Sequence, residues 1–185
     1  YRISWVSLFD SEGNIYRLLG KAEDISAQKS ADTRFQSLVQ RQKQLARRSL
    51  VSVQLDLTDD LVLQTRGRKS RLILSLVPHS ASAFLQEVQN RISPLDERAQ
   101  FHTLFQRENL QNAFRQGTTH FGLEHFLSLE PPSSLRVRTM LELASNPVTR
   151  HLEAFCSVLD IDEDYQRSLA FTTLARQNYD FVLTV

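Results

Sequence analysis

The 185-residue sequence is poor in several features that would point to a class of function. It contains a single cysteine, Cys156, which excludes an intrachain disulfide and fits a reducing compartment. Its 22 basic and 21 acidic residues leave a net charge of +1, so bulk charge favours neither nucleic acid nor an anionic membrane surface. No apolar run approaches the roughly 20 residues of a membrane-spanning helix, and no signal-peptide pattern is present. We therefore expect a cytoplasmic location and no nucleic-acid or membrane contact within these residues, although a longer protein that contains them could be membrane-anchored.

Sequence signatures of catalysis and of metal binding are absent as well. The five glycines are scattered, so they form no glycine-rich phosphate loop. The chain has neither a Gly-x-Ser-x-Gly elbow nor a His-Glu-x-x-His pair. Only His120 and His125 are close together among the histidines, and their odd separation would place them on opposite faces of a strand. We therefore predict no catalytic residue and no metal site.

What the chain does contain is one short pattern that occurs twice. Ala22-Glu23-Asp24-Ile25-Ser26 returns as Val158-Leu159-Asp160-Ile161-Asp162, at an offset of 136 positions. Each copy ends a run rich in apolar residues and opens a helix-compatible segment, and the offset persists from Phe35 to Phe171. A strand end, an Asp-Ile step and a helix therefore repeat, and a repeat of this kind divides a chain into modules.

The residues between the two copies predict one α+β domain. Ser80 or Ser82 can cap a first helix, and Ser93 followed by Pro94 can start a second helix that Gly117 ends. Alternating apolar residues predict strands before and after these helices, over residues 50–58, 61–65, 121–129, 135–143 and 150–159. Hairpin connections between such strands imply an antiparallel sheet with helices on one face.

The segments that flank this domain predict a hairpin and two linker helices. Residues 1–9 and 15–21 are apolar-rich strands joined by a loop of turn-forming residues. In the first helix Phe35, Leu38 and Leu45 belong to a narrow stripe with heptad-like spacing. This stripe either packs on the next domain or pairs with its twin in a homodimer, and the spacing alone leaves both alternatives open.

The order of these elements resembles a PAS sensor domain. The run Ile92-Ser93-Pro94-Leu95-Asp96-Glu97-Arg98 resembles the family's I-x-P-x-D-R step with one residue inserted before the arginine. Gly117 after the following helix and the closing Asp160-Ile161-Asp162 match the family in the same way. The first copy of the repeat resembles the end of a preceding PAS domain, with Gly20 and Asp24-Ile25 in the place of the family's G…D-I-T.

This resemblance implies a tandem organisation. Its parts are the last strands of a preceding PAS-like domain (1–26), a linker helix (27–48), a complete PAS-like domain (49–162), a second linker helix (163–178) and the first strand of a following domain (179–185). It implies the sensory part of a bacterial signalling protein, in which such modules commonly precede a GGDEF diguanylate cyclase or a histidine kinase. We expect a sensory or relay module without enzymatic activity of its own. The alternative is a ligand-free module for dimerisation, through the linker helices or the strand faces, or for protein interaction.

A small-molecule pocket between the sheet and the helices would be lined by inward-facing residues. The polar candidates are His125, Thr139 and Arg138, and the apolar ones are Phe101, Phe105, Leu123, Val137 and Leu141. The alternative is that these side chains close a dry core. No cofactor is evident: Cys156 is on the last strand, away from the helix where a flavin-reactive cysteine would lie, and His102 is the only helical candidate for a haem ligand.

Overall fold

The computed structural model describes residues 1–69, 80–130 and 133–180. Strands and helices alternate within these ranges in the order that the sequence predicts, with one further break in the helical layer. In chain order they are β1 (Arg2–Phe9), β2 (Ile15–Glu23), α1 (Ser26–Leu45), β3 (Ser49–Asp56), β4 (Leu61–Arg66), α2 (Ala81–Asn90), α3 (Leu95–Phe105), α4 (Arg107–Arg115), β5 (His120–Glu130), β6 (Ser133–Ser145), β7 (Leu152–Asp160) and α5 (Asp162–Asp180).

Strands β3 to β7 form one antiparallel sheet in the spatial order β4-β3-β7-β6-β5. The edge strand β5 is extended by a short stretch of backbone at Ile92, which bridges to Leu127. The Ser93 N–H donates to the Phe126 carbonyl, so this stretch partly covers an edge that would otherwise be open. The predicted α+β class with an antiparallel sheet is confirmed.

Helices α2, α3 and α4 pack on one face of this sheet and close the core. The apolar face of α2 follows helical spacing, and Phe84, Leu85 and Val88 are all buried. They meet inward-facing strand residues such as Val53 and Leu55, which are fully buried. Burying a side chain of this size contributes about 1.5–3 kcal/mol relative to leaving it exposed.

The start of α2 agrees with the sequence prediction, whereas the start of α3 does not. The Ser80 hydroxyl accepts a hydrogen bond from the Ala83 N–H at 3.2 Å, as an N-cap does. The prediction that Ser93 caps the next helix is wrong, because Pro94 holds the N-cap position and α3 begins at Leu95. Ser93 instead belongs to the stretch that pairs with β5, so its backbone is committed to the sheet edge.

The single helix predicted between Pro94 and Gly117 is also wrong, because Gln106 is extended and separates α3 from α4. After this break, the side chains of Arg107 and Gln111 both donate to the Leu57 carbonyl, at 2.8 and 2.6 Å. In an unbroken helix at about 100° per residue, Leu110 would point away from Phe101. The break turns Leu110 into the core, where it is 0% exposed.

Helix α1 covers the opposite face of the sheet, so the packing alternative for its apolar stripe is the one that the structure shows. Phe35 is buried against Phe155, with ring centroids 5.6 Å apart in an edge-to-face arrangement. The buried Gln42 donates to the Val53 carbonyl at 2.7 Å. Leu38 and Leu45 are half-buried beside it. The homodimer through this stripe stays a prediction.

The repeated Asp-Ile step has the same geometry in both copies. The Asp24 carboxylate accepts the Ser26 N–H at 2.9 Å, and the Asp160 carboxylate accepts the Asp162 N–H at 3.1 Å. Each step ends a strand and begins a helix, α1 in the first copy and α5 in the second. The predicted strand over 179–185 is wrong for its first two residues, since α5 runs to Asp180, and residues 181–185 lie outside the described ranges.

The β1–β2 hairpin forms a separate two-stranded sheet with apolar side chains exposed. Trp5 lies across from Gly20, where an added Cβ would overlap the indole ring. The exposed apolar residues of the hairpin are Ile3, Trp5, Val6, Phe9, Ile15, Leu18 and Leu19. Among the described helices, none is both long and apolar enough to cross a membrane.

The break at Gln106 generates the first prediction. Leu110→Ala removes a fully buried side chain, and we expect it to lower the free energy of unfolding by about 2–5 kcal/mol. Leu95→Ala on α3 is the matched control, because that leucine is exposed and its truncation should change stability by less than about 0.5 kcal/mol. Urea denaturation measures both. Equal, small effects would mean that Leu110 faces solvent, as in an unbroken helix.

Candidate functional site

The first candidate site is the set of inward-facing residues predicted to line a pocket. Residues of odd number on β5 and β6 face α2, α3 and α4, which places Leu123 and His125 on β5 opposite Thr139 and Val137 on β6. His125, Thr139, Val137 and Leu141 are buried and Leu123 is half-buried. Phe101 and Phe105 of α3 are buried above them. The structure therefore brings together every predicted pocket residue but one.

The polar members of this cluster bond to each other. The Nε2 atom of His125 lies 2.8 Å from the Thr139 hydroxyl, and the ring of Phe101 meets the imidazole edge-on at 5.4 Å. Phe101 in turn stacks on Phe105 with ring centroids 4.6 Å apart. Two of the three groups predicted to anchor a ligand, His125 and Thr139, are thus in direct contact with each other, as in the dry-core alternative.

His125 is a neutral imidazole at neutral pH. Burial lowers the pKa of His125 from 6.5 to about 4, because the imidazolium would lose its hydration in this apolar surrounding. Two nearby charges act in opposite directions, since Glu97 raises the pKa and Arg136 lowers it. A proton on His125 would therefore disturb the cluster from inside.

Arg138 is the residue that does not belong to the predicted pocket. Even-numbered residues of β6 point to the other face of the sheet, and Arg138 is 51% exposed there. Its Nε atom donates to the Glu124 carboxylate at 2.9 Å across the β5–β6 pair. The side chain is a surface cation on a cross-strand pair and not an anchor in the interior.

The second candidate site was not predicted and lies where α5 leaves the sheet. We call it the α5 junction and define it by Glu97 on α3, Phe126 on β5, Arg136 on β6 and Asp162 and Tyr165 on α5. The Glu97 carboxylate accepts the Phe126 N–H at 2.8 Å through one oxygen. Its other oxygen accepts from the Arg136 guanidinium at 2.6 Å. A single carboxylate therefore joins α3 to both β5 and β6.

Arg136 connects that carboxylate to α5. Its guanidinium lies 4.8 Å from the centre of the Phe126 ring and 5.3 Å from the centre of the Tyr165 ring. These two rings meet edge-to-face at 5.8 Å. A guanidinium over aromatic faces is attracted by about 0.5–2 kcal/mol, more where water is excluded. The Arg136 and Glu97 side chains are only 15% and 17% exposed, so this interaction is largely shielded from solvent.

The backbone of Arg136 holds the same helix start. Its N–H donates to the Asp162 carboxylate at 3.1 Å, and its carbonyl accepts the Ile161 N–H at 3.0 Å. Both the main chain and the side chain of one residue thus secure the first turn of α5. Within the described ranges the buried Nε of Arg136 has no hydrogen-bond partner, so the guanidinium is held less firmly than a fully bonded one would be.

The cluster and the α5 junction share strand β5. His125 faces the helical layer and the next residue, Phe126, faces Arg136 and Tyr165, as the alternation of a strand requires. The His125 Nδ1 atom also lies 3.5 Å from the Phe126 carbonyl. A displacement of either residue therefore moves a strand that both sites use.

The helical layer holds a further cavity and the histidine considered for haem. A polar cavity of about 180 Å³ lies between α2, α3 and α4, with Gln86, Gln89 and Arg107 in its lining. His102 lines it as well, and its Nδ1 atom is 3.0 Å from the Gln89 carboxamide oxygen. His102 is exposed on α3, whereas Phe101 and Phe105 face the core, so this histidine is directed away from the predicted pocket.

The buried histidine generates the second prediction. Because the pKa of His125 is lower in the folded than in the unfolded state, the unfolded state binds the extra proton. The contribution of neutral His125 is complete above pH 6.5 and is lost as the pH falls from 6.5 towards 4, by about 3 kcal/mol in all. We expect the unfolding free energy of the wild type to fall more steeply over this window than that of His125→Gln. Urea denaturation at several pH values measures the difference, and parallel pH profiles would contradict it.

Comparisons with known proteins give remote likenesses. No family model and no curated protein sequence matches the chain. Among solved structures it is similar to an RNA-binding light-oxygen-voltage receptor, at 15% identity and a TM-score of 0.40, over 70% of this chain and 36% of the receptor. It is also similar to the N-terminal domain of a diguanylate cyclase with a PAS/PAC sensor from Marinobacter aquaeolei, at 9% identity and a TM-score of 0.38, over 62% of this chain and 97% of that one. The chain thus spans about a third of the receptor's length.

The fold of the domain from β3 to β7 follows from its own topology. Its strand order, with α2, α3 and α4 on one face of the sheet, is PAS-like.

Proposed function

We propose that this chain is a sensory or relay module of a multidomain bacterial signalling protein. In this proposal a change in the helical layer, caused by a small ligand or by a neighbouring domain, alters the start of α5 through the α5 junction. Helices α1 and α5 carry the change to an output domain outside this chain, of the GGDEF diguanylate cyclase or histidine kinase type. The described residues have no catalytic role in this account.

The observation that carries the proposal is the position of Arg136. It pairs with Glu97 of α3, contacts Phe126 of β5 and Tyr165 of α5, and bonds Asp162 through its backbone. A movement of α3 that withdraws Glu97 would leave a shielded guanidinium without its counter-ion, which is costly. The Arg136 guanidinium would then move towards water or another acceptor, and this movement would change its contacts with Tyr165.

A signal acts through this arrangement only if it favours one state of the junction over the other. A ligand shifts such an equilibrium by no more than the difference between its affinities for the two states. Glu97 lies two residues after Leu95, where α3 begins beside the edge of β5. A movement of α3 that displaces Glu97 by the length of one hydrogen bond would separate it from Arg136. A modest rearrangement of α3 is therefore enough to break the ion pair.

Helix α1 provides a second contact with the sheet, on its other face. Arg41 pairs with Glu142 at 3.2 Å, and Glu142 also contacts His120 at 2.7 Å on the neighbouring strand. Arg41 and His120 are largely exposed, so these pairs are weak and can be exchanged at little cost. This weakness suits a helix that must change its packing when a signal arrives.

One observation favours a second candidate function, a ligand-free dimerisation or interaction module. The β1–β2 hairpin exposes apolar side chains, among them the cross-strand neighbours Val6 and Leu19. Exposed apolar surface of this kind often marks an interaction site. Sedimentation of the wild type, of Val6→Ser/Leu19→Ser and of Leu45→Asp separates the alternatives. Loss of a dimer only in the hairpin variant would favour this second function, and loss only in Leu45→Asp would favour pairing through α1.

The proposed relay generates the third prediction, which uses two arginines of β6 that lie two residues apart. Arg136→Gln removes the charge that joins Glu97 to Tyr165, and we expect amide hydrogen exchange at Ile161 and Tyr165 to accelerate at least tenfold, or about 1.4 kcal/mol. Arg138→Gln is the matched control, because that arginine pairs with Glu124 and contacts no residue of the junction. Exchange mass spectrometry measures both variants, and equal exchange at the start of α5 would overturn the relay.

A further inference from the structure

Two turns meet at the end of the sheet opposite the α5 junction. One follows β3 and the other precedes β7, and they are bonded to each other. The Leu57 N–H donates to the Leu152 carbonyl at 2.8 Å, and the Leu152 N–H donates to the Thr58 hydroxyl at 2.9 Å. The turn before β7 is also closed on itself, since Asn146 donates from its N–H to the His151 carbonyl at 2.8 Å. The side chains that these turns present are therefore held in fixed relative positions.

Three potential metal ligands converge where the turns meet. The Nδ1 atom of His151 lies 2.7 Å from one oxygen of Asp56 and 3.6 Å from one oxygen of Asp59. All three donor atoms lie within 4.8 Å of one another. Donor atoms that bind one Zn²⁺ ion tetrahedrally at about 2.0–2.2 Å are about 3.3–3.6 Å apart. The distance to Asp59 lies at the upper end of that range and the distance to Asp56 is shorter, so small side-chain rotations bring all three donors to a common ion.

The Asp56 carboxylate is already oriented for binding a metal ion. One of its oxygens accepts the N–H groups of Thr58 and Asp59, at 2.8 and 3.0 Å. The other oxygen is the one directed at His151. Hydrogen bonds to the oxygen that does not bind the metal are the usual way in which a ligand is held in place. Asp56 is buried, so its orientation is also fixed by packing.

Asp59 is the residue that distinguishes a metal site from a simple ion pair. Its side chain is 54% exposed, and within the described residues its carboxylate has no hydrogen bond. Its exposure also leaves one side of the cluster open, as a fourth ligand such as water requires.

The neighbouring charged groups bond elsewhere, so the space between Asp56, Asp59 and His151 is open to a cation. Glu153 is engaged by Gln54 and Asn146, and Asp60 is engaged by Ser80 and Ser82. Arg107 is also near, and its guanidinium donates to the carbonyls of Leu57 and Thr58 and not to the three ligands. None of these groups occupies the cluster.

We propose that Asp56, Asp59 and His151 form a binding site for a divalent transition-metal ion of the Zn²⁺ type. One imidazole nitrogen and two carboxylate oxygens are ligands that suit Zn²⁺ and its neighbours, whereas Mg²⁺ and Ca²⁺ prefer oxygen ligands alone. The ion joins the turn after β3 to the turn before β7, which are 95 residues apart along the chain from Asp56 to His151. This inference does not depend on the proposed signalling function.

The test is titration of the metal-free chain with Zn²⁺ by calorimetry, and with Co²⁺ by its visible absorption. We expect one ion per chain at micromolar concentration and a rise in melting temperature with added Zn²⁺, since a ligand that binds only the folded state stabilises it. Asp59→Asn should weaken binding by more than the roughly 10- to 100-fold that loss of an outer-shell partner costs. It should change the melting temperature of the metal-free chain little, because this carboxylate is exposed and its ion pair with His151 spans 3.6 Å.

His120→Gln is the matched control, because His120 with Glu142 forms a histidine–carboxylate pair for which the described residues offer no third ligand. We expect this variant to bind Zn²⁺ as the wild type does. The proposal is overturned if the wild type binds no Zn²⁺ below millimolar concentration. It is equally overturned if Asp59→Asn binds as tightly as the wild type, or if His120→Gln is the variant that loses binding.

Discussion

The shielded ion pair between Glu97 and Arg136 is the interaction on which the account of this domain depends. Its two side chains are largely removed from water, so breaking the pair by removing one partner costs several kcal/mol, whereas an exposed pair such as Arg138 with Glu124 is worth little. The same two charges hold four elements together, α3, β5, β6 and α5, because Glu97 also accepts the Phe126 N–H and Arg136 also contacts Tyr165. The helical layer, the edge of the sheet and the exit helix are therefore joined at one point.

The alternation of a β-strand places the α5 junction and the interior on opposite sides of the same strand. His125 and Phe126 are consecutive, and they face the core and the α5 junction respectively. The buried imidazole of His125 lies on one side, and the guanidinium of Arg136 contacts two aromatic rings on the other. Both are sensitive to small displacements, because a buried polar or charged group that loses its partner is costly. The opposite end of the sheet is held differently, by backbone bonds between two turns and by the cluster around His151.

Local pattern predicted the part of this structure that depends on local forces. Alternating apolar residues predicted the strands of the central sheet, the hydroxyl of Ser80 predicted a cap, and the repeated Asp-Ile step predicted two equivalent helix starts.

The features that were missed depend on contacts between distant residues. The break at Gln106 follows from hydrogen bonds between α4 and the Leu57 carbonyl, about 50 residues earlier, and no residue in the helix itself predicts it. The α5 junction joins residues 29 and 39 positions apart, and the cluster around His151 joins residues 95 apart, so a search for short motifs finds neither. Arg138 was placed in the pocket against its strand parity, which the sequence already contained.

The central claim, that α3 and α5 are coupled through Arg136, is tested most directly by a double-mutant cycle on Glu97 and Tyr165. These residues are on different helices, and the guanidinium of Arg136 lies between them. The measurement is the unfolding free energy of the wild type, Glu97→Gln, Tyr165→Leu and the double variant. Coupling through Arg136 predicts that the two effects differ from additivity by at least about 0.5 kcal/mol, and that the difference disappears in an Arg136→Gln background. Additive effects in the wild-type background would show that the two helices respond independently and would contradict the account.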